Sequence, residues 1–203
     1  MALRPTKTFL FKKVSENLKD IKKKIGIDFA CGDGKNSIFF KTKKYIGLDL
    51  DQKMINIARK KFPQHSFNKE NIVFFNHRKY SPDLVVSTNT FEHIKPKYRK
   101  RAFQNLINML KKNGTLIIDS NLDNIFSHKI KILKQKFKKI KLIYFRNSII
   151  FAIENFYLKN NFMYLMFKYS GLIITLTYLE HFTSKFNILN KSVLIIAKNK
   201  KKS

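Results

Sequence analysis

The hydrophobic and polar positions of this chain form two kinds of stretch. Short apolar runs rich in β-branched residues, such as Ile25–Phe29, are bounded by lysines or glycines and predict buried strands. Between them lie stretches whose apolar residues recur three and four positions apart, which predicts helices. The predicted strands are Ile25–Phe29, Tyr45–Leu48, Asn71–Phe75, Pro82–Ser87, Thr115–Asp119, Ile140–Phe145 and Ser192–Ala197. Alternation of strands and helices is typical of an α/β protein.

The predicted helices have apolar faces and identifiable ends. Asp51 is expected to be an N-cap, and Asn113-Gly114 a left-handed helix end. The predicted spans are Lys12–Lys24, Lys35–Lys41, Asp51 to Pro63, Pro96 to Gly114, and Ile125–Phe137. The expected buried faces are Val14, Leu18 and Ile21 in the first, Met54, Ile57, Ala58 and Phe62 in the third, and Phe103, Leu106, Ile107 and Leu110 in the fourth.

Residues 149–186 are unusually aromatic and apolar for a segment between two strands. Within Phe162–Leu179 the only charged residue is Lys168, yet these 18 residues are short of the roughly 20 that a membrane span needs. Ser170 and Gly171 weaken that interpretation further. We therefore expect a helical insertion, packed on the core, at a dimer interface, or lying on an anionic membrane surface through its apolar residues and flanking lysines.

Two glycines and an acid define a nucleoside site. Gly32 and Gly34 follow the first strand, and Asp49 ends the second, 17 residues after Gly32. Backbone amides of such a turn hold one end of a ligand, while the carboxylate accepts from the ribose hydroxyls. Asp28 and Asp33 should repel a pyrophosphate and favour a ligand with positive charge. A dinucleotide is disfavoured also because Ser37 stands where a third glycine is needed.

These residues resemble the motifs of class I S-adenosylmethionine-dependent methyltransferases. The family's Asp-x-Gly-x-Gly-x-Gly is matched by Asp28-Phe-Ala30-Cys-Gly32-Asp-Gly34, with Ala30 in place of the first glycine. Pro82-Asp-Leu-Val-Val resembles the fourth strand, and Glu92-His93-Ile the loop that follows it in methyltransferases of small molecules and lipid precursors. Leu110-Lys-Lys-Asn-Gly-Thr resembles the entry to the fifth strand. The likeness covers residues 24–121.

The resemblance implies the fold and the cofactor. It implies a Rossmann-like, doubly wound, mostly parallel seven-stranded sheet with helices on both faces, an antiparallel last strand, and S-adenosyl-L-methionine as cofactor. We expect one domain over residues 1–203, with a cofactor-binding core at 24–121 and the insertion at 149–186. The expected cofactor-binding residues are Asp28, Ala30, Cys31, Gly32, Asp33, Gly34, Asp49, Leu50, Asn76 and Ser87. Asn76, followed by His77, stands where the family often has an acid for the adenine amino group.

Catalysis is assigned to the loop after the fourth strand. His93 is the first candidate for a general base and Glu92 the second, whereas a helix-start charge and a loop histidine without chemistry remain the alternative. No metal-ligand cluster is predicted. Cytosine C5 methylation needs a cysteine outside the glycine motif, and adenine amino methylation needs prolines after the fourth strand. Neither is present, which leaves a small molecule, a sugar or a lipid-linked precursor as acceptor.

The charge balance adds a second hypothesis. The chain has 42 basic residues, of which six are arginine, and a net charge of +29. A lysine excess spread along the chain reflects an AT-rich genome better than designed base recognition. A nucleic-acid-binding, methyltransferase-like module, RNA-directed or inactive, therefore stays as the alternative. A single cysteine and no secretory signal predict a reducing cytoplasm, with peripheral contact on the inner membrane face; the oligomeric state is left open.

Overall fold

The computed structural model describes residues 4–19, 21, 23–76, 79–123, 126–185 and 189–201. The strands are β1 (Ile25–Phe29), β2 (Lys44–Asp49), β3 (Ser66–Lys69), β4 (Leu84–Ser87), β5 (Thr115–Asn121), β6 (Phe137–Asn147) and β7 (Asn190–Lys200). The helices are α1 (Pro5–Leu18), α2 (Gln52–Lys61), α3 (Pro96–Met109), α4 (Phe126–Lys136), α5 (Ser148–Leu158), α6 (Asn161–Tyr169) and α7 (Leu172–Thr183). Short 3₁₀ helices lie at Lys35–Phe39 and Phe91–His93.

The seven strands form one sheet in the order β3-β2-β1-β4-β5-β7-β6. The first five are parallel, and β7 runs antiparallel to both β5 and β6. Strand order reverses beside β1, so the residues after β1 and β4 diverge at the carboxyl edge and leave a crevice there. The predicted mostly parallel, seven-stranded sheet with an antiparallel last strand is confirmed.

Helices cover both faces of this sheet, as predicted. On one face Ile27 and Phe29 of β1 share a buried cluster with Phe103 and Leu106 of α3. The other buried cluster joins further strand residues to α1 and α2 through Phe9, Leu10, Val14, Leu18, Ile55 and Ala58. Because strand side chains alternate between faces, β2, β4, β5, β6 and β7 contribute to both clusters, which helps to fix the register of the strands.

The first helix and the third strand differ from prediction. The predicted helix Lys12–Lys24 is wrong in its bounds, because Pro5 begins α1 and the buried spacing of Leu10, Val14 and Leu18 ends at its last turn. Strand β3 is Ser66–Lys69 rather than Asn71–Phe75. The latter residues turn, since the Val73 amide donates to Asn71 Oδ1 at 2.9 Å and the Phe74 amide donates to the Asn71 carbonyl at 3.1 Å.

The remaining helix ends are close to prediction. Asp51 caps α2 by accepting from the Lys53 amide at 2.8 Å, but the buried face of α2 is Ile55 and Ala58, with Ile57 exposed. Asn113 adopts the predicted left-handed conformation, at φ 62°, although α3 already ends at Met109. Ile125, the predicted start of α4, lies outside the described residues.

The predicted helical insertion is present as α5, α6 and α7, with Phe186 outside the described residues. Two buried carboxylates join it to the rest of the chain. Glu154 of α5, 1% exposed, accepts from the Thr6 amide at 3.1 Å and the Thr6 hydroxyl at 2.9 Å. Glu180 of α7, fully buried, accepts from the backbone amides of Arg146 and Asn147. These bonds hold α5 against α1 and α7 against the end of β6.

Candidate functional site

A cavity of about 480 Å³ opens at the carboxyl ends of the parallel strands. Four neighbouring strands supply its wall, and Tyr98 of α3 closes one side. The lining residues are Phe29 and Ala30 after β1, Asp49 and Leu50 after β2, Glu70, Asn71, Ile72, Val73 and Phe74 after β3, and Asn89, Thr90, His93, Ile94 and Lys95 after β4. The wall is mostly apolar with a few polar groups, as in typical small-molecule sites.

Asp49 is held at the rim of the cavity by two backbone amides. Its Oδ2 accepts from the Gly32 N–H at 2.8 Å, and its Oδ1 accepts from the Asp51 N–H at 2.9 Å. Each carboxylate oxygen has two lone pairs, so each can accept once more from a ligand. The glycine turn and the acid at the end of β2, 17 residues apart in sequence, therefore form one unit.

Gly32 and Gly34 have different reasons to be glycine. Both adopt left-handed backbone angles, at φ 54° and φ 81°. A side chain added at Gly32 would meet nothing within 4 Å, which leaves open space for a ligand beside the backbone. At Gly34 a Cβ would come within 3.0 Å of the Phe67 ring, so this glycine is required by packing.

The loop after β4 brings Glu92 and His93 to the same edge. The His93 side chain lines the cavity and is 77% exposed, with its Nε2 3.6 Å from Glu92 Oε1. Glu92 Oε2 lies 3.3 Å from Nη1 of Arg146, which comes from β6. The loop is also held by the Asn89 amide, which donates to Asp119 Oδ1 at 2.9 Å. Burial raises the pKa of Asp119 to about 6.

A family model described as a methyltransferase domain matches residues 27–114. This part of the chain is similar to a methyltransferase domain. The matched span begins in β1 and ends just before β5, so it includes the glycine turn, Asp49 and the His93 loop.

Solved structures share the fold of this chain. The N-methyltransferase NodS from Bradyrhizobium japonicum, in complex with S-adenosyl-L-homocysteine, is 13% identical with a TM-score of 0.64, over 97% of this chain and 88% of that one. Phosphoethanolamine N-methyltransferase 2 of Haemonchus contortus, in complex with S-adenosyl-L-methionine, is 16% identical with a TM-score of 0.59, over 95% of this chain and 52% of that one.

One further solved structure matches part of the chain. An S-adenosylmethionine-dependent methyltransferase from Clostridium acetobutylicum is 26% identical, with a TM-score of 0.47, over 60% of this chain and 51% of that one. The chain thus spans about half the length of the first solved structures that it matches. A comparison with curated proteins yields no match.

Several predicted cofactor residues lie outside the cavity wall. Ala30, Asp49 and Leu50 line it, whereas Ser87 is buried and donates to Thr90 Oγ1 at 2.8 Å. Cys31 is buried beside the Gly32 carbonyl, and burial raises the pKa of its thiol. Asn76 is exposed beyond the lining, and His77 lies outside the described residues.

The charge expected on the glycine turn is largely compensated. Lys61 Nζ lies 2.7 Å and Lys35 Nζ 3.5 Å from Asp33 Oδ2. Burial raises the pKa of Asp33, but the hydrogen bond from Lys61 and the charge of Lys35 outweigh it, and the net effect lowers the pKa. Asp33 is therefore ionised and paired with lysine. The sequence-based expectation was that an unpaired Asp33 charge favours a cationic ligand. It is corrected, because the Asp33 charge is paired with two lysines.

Asp28 is enclosed beneath the turn. It has no exposed surface, and it accepts from Tyr45 Oη at 3.1 Å and from Asn36 Nδ2 at 3.3 Å. Burial raises the pKa of Asp28 to about 7, against the opposing effect of these two hydrogen bonds. Its carboxyl group thus organises the turn from behind, and it is not part of the cavity wall.

We expect Asp28 to make stability depend on pH. Its pKa is raised on folding from 3.8 to about 7, so the stability it contributes is complete below about pH 3.8 and is lost as pH rises towards 7. Asp28→Asn stays neutral and should be more stable than wild type at pH 8, by on the order of 2 kcal/mol. Urea unfolding at pH 5 to 8 tests this, and parallel pH curves for the two proteins would contradict it.

Residues after β3 and on α3 were missed from the sequence. Asn71 to Phe74 and Tyr98 line the cavity. The sequence pattern instead predicts that Asn71–Phe75 is the third strand. The detectable signal was Phe67, a single apolar residue between polar neighbours, which alternates as a short edge strand does. A strand ending at Lys69 would have put Glu70 and Asn71 at the carboxyl edge.

Proposed function

We propose that this chain transfers a methyl group from S-adenosylmethionine to a small-molecule, sugar or lipid-linked acceptor. The observation that carries the proposal is the Asp49 carboxylate at the cavity rim, bonded to the Gly32 amide at 2.8 Å. In a parallel α/β sheet this edge is where nucleoside ligands bind. The open space beside Gly32 provides room for the rest of the cofactor.

The residues present fit the cofactor. Asp49 would accept from the two ribose hydroxyls through its remaining lone pairs. Leu50, Ile72 and Val73 form the apolar wall that a flat base can pack against. The cofactor supplies a methyl group already activated on a positively charged sulfur. Because that group needs little further activation, positioning and exclusion of water account for most of the protein's contribution.

His93 would act on the acceptor. It lies at the cavity mouth, where it can accept the proton that a hydroxyl acceptor loses as the new carbon–oxygen bond forms. Glu92 lies between His93 and Arg146, with its two carboxylate oxygens 3.6 Å from His93 Nε2 and 3.3 Å from Arg146 Nη1. An amine acceptor that is already deprotonated would not need this step.

The division of the chain into functional parts belongs to the same proposal. We propose residues 1–203 as one domain, in which 24–121 hold the cofactor and 149–186 form the acceptor-side addition. The Arg146–Glu92 pair supports this, because it joins the end of β6, which leads into α5, to the loop of His93. The acceptor class rests on the loop after β4, which lacks prolines, and on the buried, unreactive setting of Cys31.

Two measurements test the proposal. Native mass spectrometry of the purified chain should detect bound S-adenosylmethionine or its demethylated product. Incubation with S-adenosylmethionine labelled in the methyl group should then transfer label to a small-molecule, sugar or lipid fraction of a cell extract. Label found only in RNA would favour the nucleic-acid alternative, and binding of NAD without S-adenosylmethionine would contradict the cofactor assignment.

A further inference from the structure

Helices α5, α6 and α7 present apolar side chains outward. In α6 the exposed residues Phe162, Leu165, Met166 and Tyr169 follow helical spacing on one face, and Tyr169 is 79% exposed. Ile174, Tyr178 and Phe182 form a similar exposed stripe on α7. Monomeric soluble proteins rarely leave such an extended apolar patch in water. We refer to these seven residues as the outer stripe.

The inward faces of these helices are already packed against one another. Tyr157 of α5 is buried and stacks on Phe167 of α6, with ring centroids 5.0 Å apart. Ile173 and Leu176 of α7 are buried in the same small cluster. The outer stripe is therefore the second apolar face of the insertion, and its side chains are exposed.

The charges that the insertion itself exposes have one sign. Residues 149–185 contain two acids, Glu154 and Glu180, and both are buried in hydrogen bonds to other parts of the chain. The charged side chains that the insertion exposes are Lys159, Lys168 and Lys185. Its surface thus combines apolar rings with lysines and shows no carboxylate.

We propose that the outer stripe docks onto an anionic lipid bilayer. Apolar side chains that enter the interface, with lysines beside them that meet anionic headgroups, are the features of an interfacial helix. The chain's net charge of +29 attracts it to the same surface from a distance. This inference goes beyond methyl transfer and does not depend on it.

The same charges disfavour a second copy as the partner. A symmetric dimer through this face would bring the lysines of both copies together without an exposed acid of the insertion to pair with them. A crossing of the bilayer is disfavoured by other contacts. No single described helix is long and apolar enough to span, α6 and α7 meet at 76°, and Glu180 holds α7 to the residues at the end of β6.

Single-tryptophan reporters test the docking directly, because the chain has no tryptophan. Phe162→Trp and Tyr178→Trp place reporters in the outer stripe, and Ile57→Trp places a matched exposed control on α2. With vesicles of phosphatidylcholine and phosphatidylserine, the two stripe reporters should shift to the blue and be quenched by brominated lipid chains. The control should do neither, and pure phosphatidylcholine should give much weaker signals.

Substitutions separate the apolar and charged contributions in vesicle sedimentation. Phe162→Ser should reduce binding about tenfold or more, whereas Ile57→Ser should not. The triple variant Lys159→Gln, Lys168→Gln, Lys185→Gln should also lose about tenfold or more at low salt. The matched triple Lys60→Gln, Lys100→Gln, Lys112→Gln removes equal charge elsewhere and should lose far less.

Four outcomes would overturn the inference. The full chain could stay in the supernatant with anionic vesicles, or the stripe and control variants could bind alike. The stripe reporters could already be shielded without lipid in a protein of twice the monomer mass, which would assign the stripe to a second copy. Finally, polyuridylic acid could shield the stripe reporters when vesicles do not, which would assign it to nucleic acid.

Discussion

Replacing Asp49 by alanine is expected to weaken binding of S-adenosylmethionine by about 30- to 1,000-fold, equivalent to roughly 2–4 kcal/mol. The loss has two parts. The ribose hydroxyls lose charge-assisted acceptors, and the Gly32 amide loses the oxygen 2.8 Å away that positions the turn. Isothermal titration calorimetry with the cofactor and with its demethylated product measures the effect.

Asp51→Ala is the matched control for this result. Asp51 lies two residues from Asp49 and caps α2 through the Lys53 amide at 2.8 Å, but it is not part of the cavity wall. Its loss should cost about 1 kcal/mol of stability and leave cofactor affinity nearly unchanged, since its backbone amide still donates to Asp49. Equal affinities for Asp49→Ala and wild type would refute the assignment of the ribose site.

Changing His93 to glutamine is expected to lower kcat by about 10²–10⁴-fold with a hydroxyl acceptor. Glutamine keeps a polar side chain of similar reach but cannot carry the transferred proton. Cofactor affinity should stay within about threefold of wild type, because the cofactor's proposed anchor is Asp49 at the end of β2, outside the loop that carries His93. Steady-state rates and calorimetry on the same preparation separate the two quantities.

His128→Gln controls for loss of an imidazole as such, since His128 lies exposed on α4. The pH dependence of kcat should persist in His128→Gln and flatten in His93→Gln. If His93→Gln retains a rate within a few-fold of wild type, His93 has no role as a base. An acceptor that needs no proton removal would then be favoured, and the cofactor site would be unaffected.

The sheet was largely predictable because its central strands are continuous apolar runs. β1, β4 and β5 are buried on both faces, so their hydrophobicity is visible without knowledge of their neighbours. β3 is a four-residue edge strand with one buried side chain, Phe67. Such a short hydrophobic pattern carries too little information to predict a strand. The apolar run after β3, Ile72 to Phe75, resembles a strand in sequence alone. It forms a turn instead, in which Ile72, Val73 and Phe75 are buried and Phe74 is exposed.

The part of the candidate site that depends on local backbone structure was predictable. The glycine turn and the strand end at Asp49 follow from local sequence, and the structure brings them together at the cavity rim. The setting of Asp28 and Asp33 was not predictable, because their partners Tyr45 and Lys61 come from other elements. Their roles as cofactor residues, like those of Glu92 and His93, remain predictions for the binding and rate measurements.

The place of β7 in the sheet has a consequence for synthesis of the chain. β6 pairs with β7 alone among the described strands, and β7 lies between β5 and β6 although it is the last of the seven in sequence. While a ribosome is still making residues 190–200, the edges of β5 and β6 have no partner. Nascent chains expose these edges together with the outer stripe, so this interval is when capture by a chaperone or a membrane surface would protect the protein most.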